Sequence, residues 1–486
     1  MRRQFRLYLL ALAAMVVVST TGCGGSSSPP PPPPPPSISV LVSAADSSVH
    51  ASSIESLAAT VTNDSADKGV SWTVSCSATP CGWISPSSTG SGAVTTYIAP
   101  STPPATTPSV TVTATSVADS SKSASAAITI TPAVPNFAYT ANFTGSISAF
   151  TVDPSSGALL QVSGSPFATG NRPFSLAVDR LSKFLYSPSD TGANVLAFTI
   201  DALTGALAPV PGAHFTVGGY PQTVGIDPTG RFAYVANSNS DDVSAFTIDA
   251  NTGVLTPIAG SPFAAALNPM SVAIDPAGRF AYVGTSLFPT ITSFSINTAN
   301  GMLTRVTSSG LPASLGCDNS WIVVHPTGKF LFMLCPCDGI YAFTVDPSSG
   351  TLGLVAGSPF GAISTNSLRS ETLEPTGRFL YLTDSYHNNI LAFAIDPSTG
   401  VPSPIAGSPF PVAVPAGGAP YAMTVDPSGK FAYVTDNSDL VLGFTIDPTT
   451  GALAPMSGSP FATATCGGLA CPGGQPHTVL VAGKIG

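Results

Sequence analysis

The chain has 486 residues, which is enough for two or three domains with sizeable hydrophobic cores. Only 8% of the residues are charged, the formal net charge is −9 and no basic block occurs, which argues against nucleic acid as a partner. The chain contains 46 Gly and 48 Pro, and this composition favours an all-β protein of short strands and tight turns over a helical one.

Residues 1–23 have the pattern of an export signal. A basic start precedes a largely apolar run from Leu7 to Val18, which is too short for a permanent transmembrane helix. The small residues that end at Cys23 resemble a bacterial lipobox, which implies that Cys23 is lipidated and anchors the protein to a membrane. The residue after Cys23 is Gly24 rather than Asp, which predicts an outer-membrane or cell-surface lipoprotein. Thr20 replaces the usual Leu, so a secreted or periplasmic protein is the alternative.

Two segments follow the signal. Residues 24–37 are rich in Gly and Ser and include eight consecutive prolines, which form an extended stalk of roughly 25 Å at about 3.1 Å per residue. Residues 38–132 alternate apolar and polar positions, as from Val70 to Val74, and predict a small β-sandwich. This stretch resembles bacterial immunoglobulin-like modules, with Trp72 as the core aromatic, and the resemblance implies a role in spacing or adhesion.

A repeated unit of roughly 48 residues fills residues 137–486. A Gly-Ser-Pro-Phe phrase, with one variant at its second copy, marks the units and ends at Phe167, Phe215, Phe263, Phe360, Phe410 and Phe461. A fixed period made only of strand and turn signals is typical of propeller blades, and the spacing predicts seven of them.

Each unit contains four strands. In the clearest copy, residues 221–263, these are Thr223–Ile226, Phe232–Val235, Val243–Ile248 and Val254–Ile258. Asp and Gly in the connecting turns cap N–H groups and supply positive φ, so these motifs are structural. The first unit begins at its second strand, near Phe137, whereas the chain ends on a first-strand pattern from Pro476 to Val481. We therefore expect the C-terminal strand to close the ring in the first blade.

The repeat core, Asp-Pro-x-Gly-Arg/Lys-Phe-x-Tyr-Val, resembles the lactonase-like seven-bladed propeller family, which includes bacterial 6-phosphogluconolactonase. Phe232–Val235 and Phe431–Val434 also resemble YVTN-type surface-protein repeats. The resemblance implies the propeller fold and, as one possible activity, lactone hydrolysis. In the family's enzymes one first strand begins with Pro-Arg-His and a second strand ends with Glu. Neither pattern occurs here, so the comparison predicts that the catalytic set is absent.

The cations of the repeat region are mostly turn residues. Six share one slot at the end of the first turn, namely Lys183, Arg231, Arg279, Lys329, Arg378 and Lys430. Only Arg172 and Arg369 lie in segments that lead into first strands, on the face where propellers usually bind ligands. A site for a phosphorylated sugar acid needs several cationic groups, and two cations from separate blades are too few to favour one.

That face supplies the candidate site residues. A concave mouth lined by aromatic and amide groups suits a carbohydrate or a peptide. The ligand-binding candidates are Arg172, Tyr220, Asn268, Trp321 and Tyr421, with Asn237, Asp384 and Asp436 from the loops after second strands. The catalytic candidates are Arg369, Glu371, His387 and His477. The alternative is that all of these are ordinary polar loop residues, and no cofactor or metal is predicted.

Seven cysteines besides Cys23 can oxidise in an exported chain. Two local disulfides are predicted, Cys76–Cys81 and Cys466–Cys471. The other three cysteines flank a predicted hairpin whose turn begins at His325. If Val324 lies opposite Lys329, Cys317 falls nearly opposite both Cys335 and Cys337 and could form a disulfide with either. We favour Cys317–Cys337, which leaves Cys335 free.

Two functions follow from these observations. The first is a lipid-anchored binding or surface-organising platform for a glycan, a peptide or an envelope protein. The second is a lactone hydrolase with a divergent active site, which rests on kinship of fold alone.

Overall fold

The computed structural model describes residues 37–44, 47–50, 54–76, 81–99, 109–131, 136–286, 290–306, 321–336, 338–361, 367–463 and 476–482. Every regular element in these ranges is a β-strand, as the composition predicts. No helix in the described ranges is long and apolar enough to cross a membrane. The signal segment, Cys23 and the proline tract lie outside these ranges.

The N-terminal part of the described chain consists of two packed sheets. One sheet has the order β1-β3-β7-β5 and the other β2-β9-β8-β4-β6. Their strands are β1 Ser39–Ala44, β2 Ser48–His50, β3 Ile54–Thr62, β4 Val70–Cys76, β5 Trp83–Ser85, β6 Ser88–Thr89, β7 Val94–Ile98, β8 Ser109–Ser116 and β9 Ser123–Thr131. Both sheets contribute to one core around Trp72 and Tyr97. The predicted Cys76–Cys81 disulfide is present. The resemblance to immunoglobulin-like modules stays a prediction.

The remaining strands form seven antiparallel sheets, which are the seven predicted blades. Blades 1 to 3 contain β10 Asn136–Asn142, β11 Ser146–Val152, β12 Leu159–Gln161 and β13 Phe167–Ala168; β14 Ala177–Val178, β15 Phe184–Ser189, β16 Asn194–Ile200 and β17 Leu207–Thr216; β18 Pro221–Ile226, β19 Phe232–Asn237, β20 Asp242–Ile248, β21 Leu255–Pro257 and β22 Phe263–Ala264. Blades 4 and 5 contain β23 Pro269–Ile274, β24 Phe280–Thr285, β25 Ile291–Ile296 and β26 Leu303–Arg305; β27 Trp321–Val324, β28 Phe330–Cys335, β29 Gly339–Val345 and β30 Leu352–Leu354. Blades 6 and 7 contain β31 Leu368–Leu373, β32 Phe379–Asp384, β33 Asn389–Ile395, β34 Pro402–Pro404 and β35 Phe410–Pro411; β36 Pro420–Val425, β37 Phe431–Asp436, β38 Leu440–Ile446, β39 Leu453–Pro455 and β40 Phe461–Ala462.

The C-terminal strand, β41 Pro476–Ala482, closes the ring as predicted. It pairs antiparallel with β10, so that Phe137 lies opposite Ala482 and Thr140 opposite Val479. The first and last parts of the repeat region thus share one sheet. Blade 1 gains its innermost strand, and β10 has no open edge towards the channel.

A buried acid holds the turn between the first two strands of most blades. Asp227 accepts the N–H groups of Thr229, Arg231 and Phe232 at 3.0, 2.7 and 2.6 Å. In blade 5 the position is His325, whose Nδ1 accepts the N–H of Thr327. Burial lowers the pKa of His325, which fits a neutral ring in a capping role.

Neighbouring blades are joined by a repeated contact between an aromatic pair and a glycine. Gly301 has a φ of +75°, and a Cβ there would lie 2.5 Å from Cδ1 of Phe232. Only glycine avoids both the backbone strain and the clash. The hydroxyl of Tyr234 donates to the Gly301 carbonyl at 3.0 Å. The phenylalanine and glycine pairing recurs around the ring, as Phe137–Gly205, Phe184–Gly253, Phe280–Gly350, Phe330–Gly400, Phe379–Gly451 and Phe431–Gly157.

The cations in the turn slot also join blades. Arg279 donates to the carbonyl of Pro347 at 2.8 Å, and Arg378 to that of Pro448 at 2.5 Å. Both carbonyls belong to the next blade, at the end of the ring away from the segments that lead into first strands. These charges are structural, as the repeat indicates.

The hairpin of blade 5 corrects one prediction. Val324 pairs with Leu331 rather than with Lys329, because His325 donates its N–H to the Phe330 carbonyl and the turn spans 325–330. Cys335 is fully buried and disulfide-bonded, so the prediction that it stays free is wrong. Its partner lies outside the described residues. Cys317, Cys337, Cys466 and Cys471 also lie outside them.

Candidate functional site

A cavity of about 600 Å³ opens where the first strands of the blades begin. Among the described residues it is lined by aromatic, amide, hydroxyl and apolar side chains with a single cation, and these residues come from six blades. The lining consists of Phe174, Tyr220, Gln222, Ser238, Asn239, Asn268, Met270, Ser286, Trp321, Pro336, Leu368, Arg369 and Tyr421. We call this cavity the mouth.

One position of the repeat contributes most of the mouth. In blades 3, 6 and 7 the first residue of the first strand, Pro221, Leu368 or Pro420, lies opposite the last residue of the second strand. The residue that follows it faces the mouth. In five blades this residue is Phe174, Gln222, Met270, Arg369 or Tyr421. In blades 5 and 1 the residues at this position are Ser320, which lies outside the described ranges, and His477, whose side chain is not described.

Arg369 is the cation of the mouth. Its Nε donates to Oγ of Ser385 at 3.0 Å, and Ser385 in turn donates to the carbonyl of Ser367 at 2.9 Å. No carboxylate in the described part of the chain pairs with Arg369. Its charge reaches Tyr421, where it partly offsets the rise in the pKa of that phenol caused by burial. The guanidinium is therefore held at one nitrogen and available to an anion at the others.

Arg172, the other predicted cation, is already neutralised. Its Nε donates to Oδ1 of Asp190 at 2.9 Å and its Nη2 contacts Oδ2. Its guanidinium also stacks on Phe143, 4.6 Å from the ring centroid. Hydrogen bonds to Asp190 raise the pKa of Arg172. Arg172 is not part of the described lining, but its side chain also interacts with that of Tyr220, which is, so Arg172 supports the rim of the mouth.

Tyr220 and Asn268 both have an unusual backbone conformation, which sets the direction of their side chains. Each has a φ of +57°, and each precedes the proline that begins its strand. Ser238 donates to the Tyr220 carbonyl, and Ser286 donates to Oδ1 of Asn268 at 2.6 Å. Positive φ in residues other than glycine persists where surrounding bonds hold it, and here it directs both side chains to the mouth.

Three candidates from the loops after second strands do not reach the mouth. Asn237, Asp384 and Asp436 are buried at the strand ends and bond to their own turns. Asn237 donates to Asp242 at 2.6 Å, Asp384 accepts from His387 at 2.7 Å, and Asp436 accepts the Ser438 N–H at 2.9 Å. The ligand-binding role expected for them is not supported, because each turn folds over the end of its strand.

Of the catalytic candidates, only Arg369 belongs to the described lining of the mouth. Glu371 lies two residues beyond Arg369, and both its carboxylate oxygens are buried with no hydrogen-bond partner in the described chain. Burial raises its pKa well above the ordinary value. The equivalent position is apolar in other blades, for example Val224, opposite Val235 as Glu371 is opposite Leu382. Within the described lining, the mouth contains neither a carboxylate nor an imidazole.

Sequence reasoning missed Phe174, Gln222 and Met270. The signal that could have found them is their shared repeat position with Arg369. Among the described residues, no group of three or more His, Cys, Asp or Glu side chains could hold a metal ion.

A family model described as lactonase, seven-bladed β-propeller matches residues 91–217, 211–274, 224–406 and 363–466. The chain belongs to this family. The overlapping matches reflect the internal repeat of a lactonase-family propeller. No curated protein sequence matched the chain.

Solved structures share the propeller fold. A putative 6-phosphogluconolactonase from Bacteroides uniformis has a TM-score of 0.59 and 19% identity, covering 72% of this chain and 100% of that one. One from Bacteroides fragilis has a TM-score of 0.58 and 18% identity, covering 72% and 98%. A periplasmic gluconolactonase from Pseudomonas aeruginosa has a TM-score of 0.56 and 17% identity, covering 71% and 98%. At these identities the likeness concerns the fold alone.

Proposed function

We propose that this lactonase-family propeller is a binding protein whose mouth takes a carboxylated carbohydrate, such as an aldonic or uronic acid. The observation that carries the proposal is Arg369, the one cation of the described mouth, which has no carboxylate partner. A carboxylate is the anion that a planar guanidinium binds with two parallel hydrogen bonds.

The rest of the lining suits the sugar. Trp321 and Tyr421 contribute aromatic rings to the lining, and such rings can pack against the C–H groups of a pyranose. Gln222, Asn239 and Asn268 offer amide donors and acceptors to hydroxyl groups. A mixture of aromatic walls and a few polar groups is typical of a small-molecule site.

The experiment is calorimetric titration of the full chain with galacturonate and gluconate, with glucose as the neutral analogue. Arg369→Met should weaken binding of the acids at least about tenfold, because a hydrogen bond to a charged group contributes about 1.5–3 kcal/mol. Arg305→Met is the matched control, because Arg305 is exposed on the outer strand β26. Unchanged affinity of the Arg369 variant for both acids would overturn the proposal.

Lactone hydrolysis is the second candidate function. Family membership favours it, together with a buried carboxyl, Glu371, two residues beyond the free cation Arg369. A pH-stat assay with glucono-δ-lactone separates the two functions. Turnover that both Arg369→Met and Glu371→Gln abolish would establish a hydrolase. Saturable binding of the acids without turnover would dismiss hydrolysis.

We also propose that the protein is exported and anchored in the cell envelope through a lipidated Cys23. The apolar run before Cys23 and the proline stalk after it support this location. Metabolic labelling with palmitate should mark the wild type but not Cys23→Ser, which should leave the membrane fraction. A Cys23→Ser protein that keeps its label would contradict lipidation.

A further inference from the structure

Blade 6 carries an exposed aromatic residue beside the mouth. Tyr386 is 74% exposed and lies in the turn between β32 and β33. Its ring packs edge-on against the ring of His387, with centroids 5.0 Å apart. An exposed aromatic ring offers a flat apolar surface on which the C–H face of a sugar ring can pack.

A buried carboxylate holds this aromatic pair in place. Asp384 accepts the N–H groups of Tyr386 and His387 at 3.1 and 3.2 Å. Its second oxygen accepts Nδ1 of His387 at 2.7 Å. Asp384 is only 2% exposed, so the turn is anchored from inside the blade. The backbone of the turn and the ring of His387 are therefore held before a ligand binds, which lowers the entropic cost of binding there.

The turn is continuous with the mouth. Ser385, the residue before Tyr386, accepts the hydrogen bond from Arg369 at 3.0 Å. In blade 3 the same turn follows Asn237, and its first two residues, Ser238 and Asn239, line the mouth. Tyr386 occupies the position of Asn239 in this comparison. The aromatic pair thus stands on the rim, next to the cation.

We propose that Tyr386 and His387 form a second sugar subsite, which takes the neighbouring unit of a uronic-acid oligosaccharide whose first carboxylate binds Arg369. This inference rests on the proposed function. Tyr386 would pack on the face of the second sugar ring. Nδ1 of His387 is bonded to Asp384, and the half-exposed ring leaves Nε2 to exchange a hydrogen bond with a hydroxyl group of the second sugar.

The test compares chain lengths in the full-length protein. Calorimetry with galacturonate and tetragalacturonate should show tighter binding of the tetramer by about tenfold, the scale of one aromatic contact. Tyr386→Ala should remove this gain and leave the affinity for the monomer unchanged, whereas Tyr386→Phe should keep the gain. Leu160→Ala is the control for loss of an exposed apolar side chain, because Leu160 is 73% exposed on β12.

The outcomes separate the subsite from the mouth. A wild type that binds monomer and tetramer equally, or a Tyr386→Ala variant that keeps the gain, would overturn the subsite and leave the proposed function standing. Absence of binding to both acids would overturn the proposed function and the subsite with it. Maltotetraose serves as the neutral tetramer, and equal affinity for it would show that the carboxylates play no part.

Discussion

The hydroxyl of Tyr234 offers a sharp test of how the blades are joined. Tyr234 is fully buried on β19, and its hydroxyl donates to the Gly301 carbonyl of the next blade at 3.0 Å. The equivalent Tyr282 on β24 is equally buried, but its hydroxyl has no partner in the described chain. The two residues therefore differ in one hydrogen bond within similar surroundings.

The expected magnitudes follow from that difference. Tyr234→Phe removes a buried hydrogen bond and leaves the Gly301 carbonyl unsatisfied, which should lower the free energy of unfolding by about 1–2 kcal/mol. Tyr282→Phe removes a buried hydroxyl that has no partner among the described residues, so it should be neutral or slightly stabilising. Blade 5 already has Phe332 at this position, which shows that the phenyl ring fits.

The assay is thermal unfolding of both variants followed by circular dichroism. One kcal/mol corresponds to about 2–4 °C in domains of 150–250 residues, and to less in a larger propeller. We therefore expect Tyr234→Phe to lower Tm by about 2 °C and Tyr282→Phe not to lower it. Equal losses in the two variants would refute the reasoning, since the ring rather than the hydrogen bond would then carry the effect.

Two further predictions concern β31 and β41. Burial raises the pKa of Glu371, so the folded chain retains a proton that the unfolded chain releases above its ordinary pKa, and stability falls as pH rises from there towards the raised value. Glu371→Met, which copies Met423 of blade 7, should raise Tm more at pH 8 than at pH 4, and a gain independent of pH would contradict this. Deletion of residues 476–486 removes the strand paired with β10 and should destabilise the whole propeller. An unchanged Tm in circular dichroism would rule out closure by β41.

The architecture was predictable because its signals are local. Asp227 caps its own turn, and the strands on either side are short runs that contain β-branched and aromatic residues. Repetition of these signals predicted the blades, and the unpaired first-strand pattern at Pro476 predicted the closure. The structural role of the slot cations followed from the same counting, and Arg279 and Arg378 fit it.

The candidate site was less predictable, because it depends on contacts that the repeat pattern does not show. Arg172 and Arg369 looked equivalent in sequence, but Asp190 neutralises only the first. Asp384 looked like a loop acid near the ligand, yet it is buried and anchors Tyr386 and His387. Neither difference has a local sequence signal, since each depends on which way a turn folds over a strand end.

The sequence by itself determined the turns and the blades, because both are specified by contacts within a few residues and then repeated. Counting the repeated strands also assigned the last strand to the first blade, where it pairs with β10. Only the tertiary structure decided what the mouth contains. Its described lining takes one residue from the same repeat position of five blades, and residues such as Gln222, Arg369 and Tyr421 are far apart in the chain. The mouth is formed when the blades pack into a ring, so its chemistry is a property of the closed propeller.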